Sequence, residues 1–593
     1  MAQIQNSKKI FLWGFTLLFP ILLLGIIEIG FRVAGYYSEA QELFIEAGND
    51  ADFYITNTNF VERYFPDFAP RIAPGAIRKV KKPNTFRIFV FGGSSAQGFP
   101  YNFYNSFADQ LEQKLLLNTN GLNIEIANLG MTAVNSYVIR DLSKRVLPYE
   151  PDAIIIYAGH NEFYGSFGAG STQFGMVNNV ALKRFTLWLK NFRFYQFLEN
   201  LIQTKQESTD RRTLMAKVVN NSDIAKDSKT FRQGMHQFEE NITDVVELFA
   251  RRDIPVLVGT VASNLKDQAP FTDNPAANAM YKEGVELFDA GNLDAARAKF
   301  IAAKELDGIR FRAPEGINEI IRDITSTDDA ILVDIEKAIR EQAPSGIEDD
   351  FIFVDHLHPN FKTHLFIANL FLAELIEFEM IEMAIAPNLF GVPARVSAFE
   401  ETYAGVAISR LKVGYPFQKG LTQEEELQRF TSIYNSYLKS SYIDSLAANA
   451  AQNQVHVPKV LTEIVNYAKV QQDTLAVMSH YYELLKWQLN SQNLIEKGIE
   501  YSVTNRATDV YLVNMILQVL NDGSYDPRYM DVLSSIYLMY QKLDKAKYWL
   551  DESERLNSNS PRLFYNFARY HILAGDTLQA QNYFLKYQQS LNN

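Results

Sequence analysis

Five short, nearly unbroken apolar runs constrain this chain more than any other feature: residues 86–91 (FRIFVF), 124–129 (IEIANL), 153–158 (AIIIYA), 255–261 (PVLVGTV) and 351–355 (FIFVD). Near-continuous apolar strands separated by helical patterns indicate a parallel sheet covered on both faces, and hence an α/β domain. Between the first two runs, residues 106–117 read as a helix, with Ser106 as its cap and Asp109 three residues later as in a capping box. Open parallel sheets bind ligands at the carboxyl ends of their strands. The loops after Phe91, Leu129, Ala158 and Val354 are therefore expected to converge on one crevice.

The chain has 593 residues, which implies two or three domains rather than one core. Lys8 and Lys9 precede an uncharged run over residues 10–27 that approaches the span of a bilayer core as a helix. Glu28 and Arg32 follow four residues apart, placed to pair near an interface. No convincing signal-peptidase site follows, so the run reads as an uncleaved anchor. With lysines before it and Glu39, Glu42, Glu46 and Asp50 after it, the positive-inside rule leaves residues 1–9 cytoplasmic and everything beyond the transmembrane segment, residues 10–34, outside. Residues 35–84 lack clear periodicity and read as a stalk or a cap on the α/β domain, which extends over residues 85–380.

A second pattern interrupts that domain. Over residues 277–308, Gly284, Leu287, Ala296, Phe300 and Ala303 match the packing positions of a tetratricopeptide-like (TPR-like) helix pair. The same register recurs as Leu533, Tyr537, Ala546 and Leu550, and again, 34 residues on, as Phe567, His571, Ala580 and Phe584. Stacked helix pairs bury small residues against a neighbour's bulky ones, so residues 381–593 are expected to form an all-α array of this kind. Residues 182–202, aromatic and interspersed with Lys183, Arg184, Lys190 and Arg193, suit packing on the domain, a lid or a helix on a membrane surface.

The net charge of −12 and the lack of a long basic run exclude a nucleic-acid binder, since phosphate recognition needs clustered Lys and Arg. The chain has no cysteine, which removes thiolate nucleophiles and Cys-type zinc sites. Catalysis is left to oxygen and nitrogen.

The loop after the first run reads Gly92-Gly93-Ser94 with Gly98 four residues beyond the serine. Asn128-Leu129-Gly130 ends the second run, Gly159-His160-Asn161-Glu162 follows the third, and Asp355-His356-Leu357-His358 closes the last. In that order these blocks resemble the SGNH/GDSL hydrolases, whose blocks have the forms G-D-S-x-x-x-G, a glycine, G-x-N-[DE] and D-x-x-H. Gly93 departs from the family's aspartate. The resemblance covers about residues 87–370, interrupted by insertions over about 164–228 and around 277–308. It implies a flavodoxin-like three-layer fold and a serine esterase. Ser94 is then the nucleophile, with Ser95 its competitor. His358 is the base and Asp355 the residue that orients it, while the Ser94 N–H, the Gly130 N–H and the Asn161 amide form the oxyanion hole. His356 and His364 beside Asp355 admit a metal-site reading, but there is no H-E-x-x-H helix and the other blocks would go unexplained. No metal or organic cofactor is implied.

The expected function is hydrolysis of acyl esters outside the cytoplasm, for example O-acetyl groups of envelope carbohydrate, or acyl chains of lipids. Two alternatives stand beside it: O-acyl transfer to an envelope polysaccharide, and a scaffold whose repeats recruit a protein partner while the hydrolase domain is inert. Gly93 is the feature that leans toward the scaffold.

Overall fold

A computed structural model describes residues 2–36, 39–48, 50–65, 70, 72–119, 121–171, 179–202, 215, 219, 223–382, 396–453, 455–488, 491–506, 510–523, 525–556 and 559–591. Its first element is α1 (Ala2–Val33), which contains the whole apolar run. Side chains of residues 2–12, 14, 15 and 17 lie outside the described ones. Among the described residues no helix is long and apolar enough to cross a membrane.

The segment between α1 and the main sheet packs on the α/β domain. Strands β1 (Phe44–Ala47), β2 (Asp50–Thr56) and β3 (Ala76–Arg78) form a small antiparallel sheet. Phe60, Tyr64 and Phe65, lying between β2 and β3, are buried in the main core. Each such side chain removed from water contributes roughly 1.5–3 kcal/mol, enough to hold a segment with so little regular structure.

The main sheet starts at β4 (Thr85–Gly92), followed by the single turn α2 (Ser94–Gln97) and α3 (Phe107–Asn118). The Ser106 hydroxyl accepts the Asp109 N–H at 3.3 Å, as a cap should. The reciprocal half of the capping box is not used, because the Asp109 carboxylate turns to Lys486 instead. Then come β5 (Asn123–Asn128), α4 (Ser136–Val146), β6 (Ala153–Tyr157), α5 (Val180–Leu189), α6 (Arg193–Ile202), β7 (Val256–Gly259) and β8 (Ile331–Val333). All pairings are parallel, in the order β5-β4-β6-β7-β8. That is the doubly wound flavodoxin-type order, and its direction of winding reverses between β4 and β6, where the loops part and leave a crevice. Helices cover both faces: α3 and Phe361–Glu377 on one, α4 and Lys229–Ala250 on the other.

The fifth apolar run is not a strand. The Ile352 and Phe353 N–H groups both return to the Asp349 carbonyl (3.0 and 3.1 Å), and the Val354 N–H donates to the His358 carbonyl at 3.0 Å. The Asp349 carboxylate accepts the Phe351 N–H at 3.0 Å. This aspartate-led turn overrides the strand-like pattern, and the fifth strand is supplied by Ile331–Val333.

Beyond residues 383–395, which lie outside the described ones, every described regular element from Ala398–Lys412 to Thr577–Ser590 is a helix. The helices Pro527–Met539 and Pro561–Leu573 begin 34 residues apart, and each packs against the helix that follows it. Leu533, Tyr537, Ala546, Leu550, Phe567 and Ala580 are buried, whereas Phe584, on the last described helix, is half exposed. In the inserted pair, the Phe300 ring occupies the space over Gly284, where a Cβ would meet it at 2.8 Å. The C-terminal helical region is docked on the sheet edge. The Asn521 side chain donates to the Ile124 carbonyl (2.7 Å) and accepts its N–H (2.8 Å), covering an edge that would otherwise offer unpaired groups.

Candidate active site

Ser94 opens α2 immediately after β4. Its neighbours β4 and β6 are in register, with Gly92 opposite Tyr157, so the loops that follow both strands start at one level on either side of the reversal. The chain turns sharply here because Gly92 has no side chain: a Cβ would come within 2.2 Å of the Tyr157 carbonyl oxygen. The turn closes through Gly98 (φ 105°), whose N–H donates to the Ser94 carbonyl.

The structure brings the nucleophile and base candidates together across 264 residues. Ser94 Oγ lies 2.7 Å from His358 Nε2, and His358 Nδ1 lies 2.6 Å from Asp355 Oδ2. The other carboxylate oxygen accepts the backbone N–H groups of Leu357 (2.9 Å) and His358 (2.8 Å), which fixes the aspartate against its own turn. Burial alone would raise the Asp355 pKa, but the imidazoles of His358 and His356 hold it well below the usual carboxylate range. Asp355 is thus an anion on the far side of the imidazole, suited to stabilise a positive ring. Ser95 is not placed to compete, since its buried hydroxyl has no hydrogen-bond partner.

Asn161 approaches from the loop after β6. Its side-chain nitrogen sits 2.5 Å from where a Cβ on Gly93 would stand, so the amide lies directly over the residue preceding Ser94. The departure at Gly93 acquires a physical reason: it makes room for this amide. The Ser94 N–H is in the first position of a helical turn, where no intrahelical acceptor exists. Gly130 departs from the expectation. Its N–H donates to Asn128 Oδ1 at 2.9 Å, while the Asn128 amide nitrogen donates to the Ala96 carbonyl and the Ser106 hydroxyl. What Gly130 supplies is close packing, because a Cβ there would lie 2.5 Å from the Gln97 nitrogen.

Glu162, the last residue of the third block, is buried away from the serine. It accepts the Ser136 N–H (3.1 Å), the Ser136 hydroxyl (2.8 Å) and the Gln237 amide (2.6 Å), tying the loop after β6 to the helices on that face. Burial outweighs these hydrogen bonds and pushes its pKa up to about 7. His160 is also buried. Its Nδ1 accepts the Ala313 N–H at 3.1 Å, and burial, with His356 nearby, lowers its pKa to about 3, leaving a neutral ring.

Asp355, His356 and His358 lie close enough to be considered as metal ligands. Both His358 nitrogens are engaged, however, one by Ser94 and one by Asp355, and His364 is not part of the cluster. Aromatic rings wall the site. Phe99 lies 4.6 Å from the His358 ring, and His356 is packed by Phe271 (5.5 Å) and Phe417 (5.3 Å), centroid to centroid. Phe417 follows the helix Ala398–Lys412, so the C-terminal part of the chain helps to build the pocket. Nothing local to Phe417 in the sequence marks that role.

No family model matches the chain. No curated protein matches it either. Solved structures similar to it include an acetyl xylan esterase, AlAXEase (14% identity, covering 49% of this chain and 100% of that one, TM-score 0.27). Others are the lipase/acylhydrolase from Enterococcus faecalis (12%, 51% and 99%, TM-score 0.26) and the acetylxylan esterase Axe2 from Geobacillus stearothermophilus (12%, 50% and 96%, TM-score 0.27). Likeness at these scores lends the site no chemistry of its own, and what the pocket can do rests on the distances within it.

Proposed function

We propose that the protein is a serine ester hydrolase of the SGNH type, held to a membrane by its N-terminal helix with the catalytic domain outside the cytoplasm. One observation carries the reading: the unbroken series from Ser94 Oγ through both nitrogens of His358 to the Asp355 carboxylate. Serine is a weak nucleophile until a base takes its proton. Ser94 Oγ attacks the ester carbonyl carbon as its proton passes to His358 Nε2, and Asp355 stabilises the imidazolium that results. The carbonyl oxygen, now an anion, is held by the Ser94 N–H and the Asn161 amide. Collapse breaks the ester C–O bond, and His358 returns the proton to the departing alcohol. Water, deprotonated by the same imidazole, then releases the acid and restores Ser94.

The anchor reading is supported by the side chains described in α1: Leu18, Phe19, Ile21, Leu22, Leu23, Leu24, Ile26 and Ile29 are all exposed. An extracytoplasmic site makes O-acetyl groups of envelope carbohydrate the preferred substrate class, and the C-terminal helix pairs are the surface for a protein partner. The second reading is acyl transfer, favoured by one feature: Ser94 and His358 are only 8% and 6% exposed. An acyl-enzyme shielded from water survives long enough to meet a sugar hydroxyl. The room made by Gly93 for the Asn161 amide counts against an inert domain.

The test is turnover of short-chain aryl and sugar acetate esters by the full chain in detergent, beside Ser94→Ala and His358→Ala. Each substitution should remove nearly all acetate release, and transfer to an added glycan separates the two readings. Equal turnover by wild type and Ser94→Ala would refute both.

A further inference from the structure

We propose that α5 and α6 form a foot lying in the surface of the bilayer beside α1, so that the catalytic pocket is held at a fixed height above the membrane. The inference rests on the anchor reading and extends it.

α5 buries Lys183 and Leu187 but leaves three large apolar side chains uncovered, unlike a helix on a protein in water. Lys183 and Lys190 face inward and are each 2% exposed, whereas Leu182, Phe185 and Trp188 are 47%, 49% and 51% exposed. Those three recur every third residue and so share one face. The Phe185 and Trp188 rings stack at 5.4 Å on that face. α6 adds Leu198 and Leu201, three apart and exposed. An amphipathic helix ordinarily buries its apolar side and wets its charges. Here the lysines are consumed internally: Lys183 donates to the Phe167 carbonyl at 2.6 Å, and Lys190 pairs with Glu199.

The orientation is fixed rather than accidental. Arg63, buried under the hairpin, donates to the Leu187 carbonyl (2.8 Å), the Lys190 carbonyl (3.2 Å) and Asn191 Oδ1 (3.1 Å), and its own charge is met by Asp141 at 2.9 Å. α6 is in turn joined to the end of α1. Phe31 packs on Phe194 and Phe197 (5.9 and 5.0 Å), Glu28 accepts the Phe194 N–H at 3.0 Å, and Arg193 donates to the Tyr36 carbonyl at 2.8 Å. The hairpin that carries this apolar face is therefore fixed to the end of α1.

The exposure of α1 itself identifies the occupant. Ile21, Leu22, Leu23 and Leu24 are consecutive and all exposed, and four consecutive positions point to every side of a helix. A second copy or another protein covers one stripe of such a helix, while lipid covers all of it. Exposed Trp188 and Phe185, on the hairpin fixed to the end of α1, then suit headgroup depth, where aromatic rings are favoured.

Because the chain has no cysteine, single-cysteine variants give unambiguous labels. The full chain carrying Leu182→Cys, Phe185→Cys or Trp188→Cys is labelled with an environment-sensitive fluorophore and reconstituted in phosphatidylcholine–phosphatidylglycerol vesicles, with or without nitroxide-labelled phosphatidylcholine. Leu22→Cys in α1 and the exposed Lys337→Cys serve as references, and esterase activity confirms that each labelled variant is folded. The expected result is blue-shifted emission quenched by the nitroxide lipid at 182, 185 and 188, as at 22, and no quenching at 337. Quenching at 22 but not at the three hairpin sites overturns the foot and spares the anchor. Blue-shifted emission there without lipid quenching also overturns it, in favour of a second copy or another protein. Loss of quenching at 22 as well removes the anchor and the foot together.

Discussion

Gly93→Ala is the most discriminating change available in the pocket, because it restores a Cβ where the G-D-S-x-x-x-G block that the sequence resembles has one and should nevertheless lower the rate. Gly93 has φ −84° and ψ −154°, a conformation open to any residue, so no backbone strain opposes the substitution. Its cost falls on a single neighbour: the new Cβ would stand 2.5 Å from the Asn161 side-chain nitrogen, well inside contact distance. An amide at the end of a rotatable side chain yields more cheaply than backbone, so the Asn161 side chain moves and the oxyanion loses a donor. Loss of one such donor costs about 10²- to 10³-fold in kcat, or roughly 2.7–4 kcal/mol. Stability should move the other way, since replacing glycine at a compatible conformation gains about 0.4–1 kcal/mol by restricting the unfolded chain. The assay is kcat and kcat/KM on an aryl acetate for wild type, Gly93→Ala, Asn161→Ala and the double variant, with thermal melts of each. The expected pattern is a folded, equally or slightly more stable Gly93→Ala with a kcat near that of Asn161→Ala, and a double variant no worse than either. Wild-type kcat in Gly93→Ala, or losses that multiply in the double variant, would show that the amide is not the donor Gly93 makes room for.

Asp355→Asn should leave the fold intact and lower kcat on the order of 10⁴-fold, because the imidazole is then held without an anion behind it; steady-state kinetics with near-UV circular dichroism checks this. Lys486→Met should destabilise the full chain by about 3–5 kcal/mol in denaturant unfolding, because Lys486 is the cation that pairs with buried Asp109 at 2.6 Å between α3 and the C-terminal helices. Glu162 gives the stability a pH dependence. Its folded pKa, about 7, lies above the ordinary carboxylate value of 4.5, so the folded state holds the proton more tightly than the unfolded one. That contribution is fully present below about pH 4.5 and lost as pH rises through 7, and the melting temperature should fall across this window. A fall that persists unchanged in Glu162→Gln would assign it to another group.

The parts of this protein legible in its sequence are those whose physics is local. Gly92-Gly93-Ser94 announces a strand that must turn sharply, and Asp355-His356-Leu357-His358 places a carboxylate three residues before an imidazole, within reach of it in any tight turn. What failed was the inference from apolarity to strand at residues 351–355. A buried turn needs apolar side chains as much as a strand does, and the deciding signal was the aspartate at 349 accepting the N–H two residues on. The true fifth strand, Ile331–Val333, is three residues long and too short to carry a pattern.

The remainder was invisible for a different reason, which Gly93 and Phe417 illustrate. Read in the chain, Gly93 is a missing aspartate and so a sign of weakened chemistry. In the fold it is a space filled by a side chain 68 positions away, and the same residue becomes an argument for the proposed role of the Asn161 amide. Phe417 reads as an ordinary aromatic after a helix, yet it packs on His356 beside His358. A single sequence records what each residue is able to donate, accept or exclude, but not which distant residue will exploit it. The lysine at 486 has a meaning only once α3 presents Asp109 to it, 377 positions earlier. Departures from a family's motif are for that reason weak evidence of lost function until the space they open has been looked into, and here that space holds the Asn161 amide.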